Sequence, residues 1–135
     1  MPTALHLGCH AHKGGGLELF RQTVKPREFL PEIMSWNRDA RSRSPPRPEI
    51  RLIVLNACES ETHALDLTEG VEFAIGHRDP VDDGDAIQFS RLLYDCLFDG
   101  ATLLDSFNMA RSSCKGYRLR ANKDPGQFRL VPSHE

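Results

Sequence analysis

Cys58 and His10 are the residues whose type and placement point to chemistry. Cysteine attacks as its thiolate, and a free thiol has a pKa of about 8.5, so its usual activator is a nearby imidazole that takes or shares the proton. Each residue ends a short apolar run: Leu5-His6-Leu7-Gly8-Cys9-His10 in one case, Leu52-Ile53-Val54-Leu55-Asn56-Ala57-Cys58 in the other. If the two runs are neighbouring parallel strands, imidazole and thiol emerge at one edge. An acylated thiol also needs donors for its oxyanion. Backbone amides around Cys58 and in the Ala11–Gly16 loop, Ala11 and Gly14 included, are candidates. The plainer reading of Cys58 is a small buried hydrophobe.

The elements that must position these residues are legible in outline. Leu52 to Leu55 is an unbroken run of branched apolar residues, as in a strand buried on both faces of a parallel sheet. Small polar residues follow it, and in open α/β sheets ligands collect beyond the carboxyl ends of the strands. Gly14-Gly15-Gly16 implies a tight or flexible loop after the first strand. Gly16 to Phe20 suggests a brief strand or hairpin arm. A helix is expected from Pro26 to about Trp36, interrupted at Leu30-Pro31. Residues 37–49, with Arg38, Arg41, Arg43, Arg47 and three prolines, read as a disordered loop that cannot bury enough surface to fold. Helices are expected at about Glu61–Glu69, Ala86–Asp99 and Thr102–Ser112, and a strand at Val71–Gly76. Weak strands are expected at Tyr117–Leu119 and Phe128–Val131. This alternation predicts an α/β domain with a mostly parallel sheet and helices on its faces.

Composition narrows the class. The chain has 135 residues, 39% hydrophobic and 27% charged, with a net charge of −2. This suits one soluble domain and gives no global pull toward nucleic acid or an anionic membrane. No apolar run approaches the roughly 20 residues that span a bilayer. Cysteines 9, 58, 96 and 114 form no CxxC pair, so a reducing, intracellular, cytoplasmic setting is the expectation. Cys9, His10, His12 and Cys58 lack the usual spacing of metal ligands, and no cofactor is expected. His12 and His63 are secondary candidates for the base. Cys96 reads as core and Cys114 as an ordinary thiol. Asp83, with Asp79, Asp82 and Asp85, could line a pocket for a basic side chain. The simpler role is that Asp83 or Asp85 caps the Ala86 helix.

His10 after an apolar strand, then VLNACES about fifty residues on, resembles the caspase-like cysteine peptidases, and within them the CHAT group related to caspases and separase. The likeness continues through Gly70-Val71, Phe73-Ala74-Ile75-Gly76, Val81, Asp83, Ala86, Phe89, Tyr94, Leu97, Gly100 and Ala110-Arg111. The resemblance implies a caspase-like sheet sandwiched by helices and a protein substrate cleaved through a thioester, with Cys58 as nucleophile and His10 as base. Three departures stand out. The chain starts at the histidine strand, so the domain reads as partial, with an exposed sheet edge open to a protein partner or a missing half. Ala11 stands where the family usually has glycine. Residues 37–49 replace the family's usual connection. The alternative is a noncatalytic caspase-like module that binds a protein partner. RNA binding rests only on the Arg/Ser loop.

Overall fold

A computed structural model of the chain describes residues 3–8, 10–11, 17–19, 22–24, 26–56 and 60–132. The elements run β1 (Thr3–Gly8), β2 (His10–Ala11), β3 (Leu17–Leu19), β4 (Gln22–Val24), α1 (Pro26–Ser42), β5 (Ile50–Asn56), α2 (Glu61–Leu67), β6 (Phe73–His77), α3 (Asp83–Phe98), α4 (Leu103–Arg111) and β7 (Tyr117–Ala121). They form a mixed α/β domain. Its main sheet has the order β1-β5-β6-β7, and β2-β3-β4 make a small second sheet. Pairings β1/β5 and β5/β6 are parallel and β6/β7 is antiparallel.

Successive side chains of a strand point to opposite faces, which divides the core in two. Leu52 and Val54 of β5, with Phe73 and Ile75 of β6, pack on Phe89, Leu93 and Leu97 of α3 and on Leu103, Phe107 and Ala110 of α4. Ile53, Leu55 and Ala74 face the other way, against Leu30 and Ile33 of α1 and Ala64 and Leu67 of α2. Helices therefore cover both faces, as the unbroken run Leu52–Leu55 predicts. Each of those four residues is 0% exposed. Tyr117 brings β7 into the first core, its ring stacked on Phe89 with centroids 3.6 Å apart.

Two expectations need correction. Helix α1 passes Pro31 and runs to Ser42, six residues into the stretch read as loop. Asn37 and Ala40 are buried and continue the stripe of Leu30 and Ile33. The Asn37 side chain accepts from Ile50 N at 2.7 Å and donates to Ile50 O at 2.8 Å, tying the helix to the start of β5. Of the stretch 37–49, only residues 43–49 lack regular structure, and even these are tethered, by an Arg41–Glu49 ion pair at 2.6 Å and an Arg47 N to Ala40 O bond. At the other end, Phe128–Val131 is not a strand. Arg129 makes one isolated bridge to Thr102, while Phe128 and Leu130 are buried against the α3–α4 core. Among the described residues no helix is long and apolar enough to cross a membrane.

Candidate functional site

The parallel register of β1 and β5 pairs Leu7 with Leu55 and Gly8 with Asn56. His10 follows Gly8 by two residues, and Cys58 follows Asn56 by two. The main chain of His10 has by then entered the second sheet, opposite Glu18, and Ala11 lies opposite Leu17. Cys58 and Gly14 lie outside the described residues, as do Cys9 and His12. The structure thus brings the two strands side by side, parallel, with ends aligned.

The described chain resumes after Cys58 at Ser60, which is fully buried. Ser60 precedes α2, and its carbonyl accepts the Ala64 amide at 3.0 Å, yet its hydroxyl does not cap the helix. The hydroxyl instead donates to Leu55 O at 3.5 Å and accepts from the His77 amide at 2.9 Å. It therefore ties the carboxyl end of β5 to that of β6. The approach is close enough that Gly76 is required. A Cβ there would lie 2.6 Å from the Ser60 carbonyl oxygen.

The same edge holds a Cys–His pair that sequence reasoning missed. His77 Nε2 lies 3.7 Å from Cys114 Sγ. Asp79 main-chain groups flank Nδ1, the nearer of them the carbonyl at 2.5 Å. With Nδ1–H donating to that carbonyl, Nε2 is left to accept from the thiol. Tyr117 meets the imidazole edge-on at 4.6 Å, and Gly116 sits so close that a Cβ would fall 2.3 Å from the ring. Burial pushes the Cys114 thiol up, the Gly116 backbone pulls it down, and Asp85 and Asp82 raise it further. A thiol held protonated is a poor nucleophile, so this pair reads as packing. No signal in the sequence joined Cys114 to His77, 37 residues apart.

The acidic turn resolves differently from expectation. Asp82, not Asp83 or Asp85, caps α3, its carboxylate accepting the Gly84 amide at 3.2 Å. Asp83 and Asp85 are exposed in the first helical turn. His63 is buried on α2, and desolvation lowers its pKa against a smaller opposing effect of Asp66. Cys96 is half-buried on α3. No group of three or more His, Cys, Asp or Glu residues among the described residues could hold a metal ion.

No protein-family model matches the chain. It is similar to a protein of Gillisia limnaea named "Probable protease", with 30% identity over 99 residues, which amount to 73% of this chain and 17% of that protein's length.

Proposed function

We propose that the chain is a cysteine-type endopeptidase of the caspase-like class, with Cys58 as nucleophile and His10 as base, acting on a protein substrate. One observation carries the reading. The residues of the expected dyad stand at the same offset past Gly8 and Asn56, which face each other across adjacent parallel strands about 4.8 Å apart. The similarity to a probable protease supports proteolysis in the coarser sense.

In this mechanism His10 removes the thiol proton, and the Cys58 sulfur bonds to the scissile carbonyl carbon. The C–N bond breaks as the protonated imidazole returns the proton to the leaving amine. Water, deprotonated by His10, then displaces the thiol and releases the acid. Amides of Ala11, Gly14 and the Cys58 turn are the oxyanion donors. Asp83, exposed at the start of α3, is the carboxylate for a basic substrate side chain.

Alkylation by iodoacetamide across pH, with each cysteine mapped by mass spectrometry, tests the dyad. We expect Cys58 to label well below pH 8 and to lose that reactivity in His10→Ala while the fold is unchanged. Cys114, its thiol raised by burial, should label slowly until the solution is alkaline. If Cys58 reacts no faster than Cys114 and ignores His10→Ala, the peptidase reading fails and a noncatalytic binding module takes its place.

A further inference from the structure

Strand β7 forms one edge of the main sheet, and its polar backbone is only half used. The Arg78 amide donates to Gly116 O and the Asn122 amide donates to Glu72 O. In an antiparallel ladder, hydrogen-bonded and non-bonded pairs alternate. Arg118 and Arg120 therefore turn their N–H and C=O groups toward β6, while Tyr117, Leu119 and Ala121 turn theirs outward. Tyr117 O is taken by Arg111 Nε at 3.2 Å and by Arg118 at 2.9 Å. No described residue bonds the outward groups of Leu119 and Ala121. Edge strands with open donors and acceptors are templates for pairing with another chain.

Two further features lie along this edge. Between β7 and α4 runs a groove of about 360 Å³, with Leu104, Phe107, Tyr117 and Leu119 among its walls and Arg111 and Arg118 also lining it. A strand added beside β7 would drop alternate side chains into it. The charge is also one-sided. From Arg111 to Lys123 the chain carries Arg111, Lys115, Arg118, Arg120 and Lys123 and no acidic residue, in a protein whose net charge is −2. Arg120 pairs with Glu61 of α2, but Arg111 and Arg118 have no carboxylate partner among the described residues. A second copy of the chain fits poorly, since antiparallel self-pairing about Leu119 sets Arg118 against Arg120 of the other copy, and like charges opposed across strands are destabilising.

We propose that the outer edge of β7 binds an extended acidic segment of another protein as an added strand, with an apolar side chain in the α4–β7 groove and carboxylates beside Arg111 and Arg118. Main-chain hydrogen bonds would supply affinity and the alternating side chains specificity. This binding is independent of Cys58 and its reactivity.

The probe is a fluorescein-labelled, end-capped heptapeptide alternating Glu with Leu, titrated with the full chain and followed by anisotropy. Saturable binding is expected, weakened about tenfold or more by Arg118→Glu, and equally by filling the groove with Ala121→Trp. A peptide of the same sequence with N-methyl groups on alternate amides tests strand pairing without altering the protein, and should fail to bind. Equal binding of the N-methylated peptide, no saturable binding, or binding of a single-stranded oligothymidylate as tight as the peptide would overturn the proposal. So would a dimer in sedimentation that the peptide dissociates, because the edge would then be occupied by a second copy.

Discussion

Gly76 and Gly84 show how the same substitution takes opposite signs. At Gly76 a new Cβ meets main chain, the Ser60 carbonyl at 2.6 Å, and main chain between two anchored elements cannot step aside. Gly76→Ala should destabilise the fold by roughly 1–3 kcal/mol, in line with overpacking of a filled core. It should also slow Cys58 alkylation, because Ser60 lies two positions beyond the proposed nucleophile. At Gly84 the nearest atoms to a new Cβ are the Asp82 carboxylate oxygens at 3.7 and 3.8 Å, an ordinary contact. Gly84→Ala removes backbone freedom from the first turn of α3 and should be neutral or stabilising by up to about 1 kcal/mol. Urea denaturation of the pair checks both signs.

The Asp79–Asp85 turn divides capping from any role in recognition. Asp82→Ala removes the α3 cap and should cost about 1 kcal/mol. Asp83→Ala should change stability by no more than about 0.5 kcal/mol and, on the proposed peptidase reading, reduce cleavage of substrates with a basic residue at the cut. Denaturation and peptide hydrolysis on the two variants separate the roles. At this scale much was legible. Helices α2, α3 and α4 carry apolar stripes, and Gly100, at φ 93°, ends α3 as its position suggested. The end of α1 was hidden because its stripe continues through Asn37 and Ala40, a polar and a small residue whose burial depends on β5. Strand β4 was not anticipated, and Phe128–Val131 was misread as a strand, for a related reason. Short segments take their state from what they pack against. The aligned ends of β1 and β5 were readable from the two apolar runs. The His77–Cys114 contact was not, since it arises only when β7 folds back beside β6.

Across the whole molecule, pH acts through the buried imidazole of His63. Its folded pKa lies below the ordinary 6.5, because burial disfavours the charged ring more than Asp66 favours it. A group with a depressed folded pKa holds its full contribution above the unfolded pKa and loses it as pH falls. The chain should therefore lose stability as pH drops below about 6.5, the unfolded value, since unfolding releases the ring to take a proton. His63→Gln should flatten that dependence between pH 7.5 and 5.5 in guanidinium unfolding. An unchanged slope would assign it to other groups. Ser60 offers a further means of observation at this scale. Because the His77 amide proton is held by the Ser60 hydroxyl, its exchange with deuterium clocks each opening of the junction between β5 and α2. One resonance in a nitrogen-15 spectrum would thus reveal how often the Ser60 tie between β5 and β6 opens, with no substrate present.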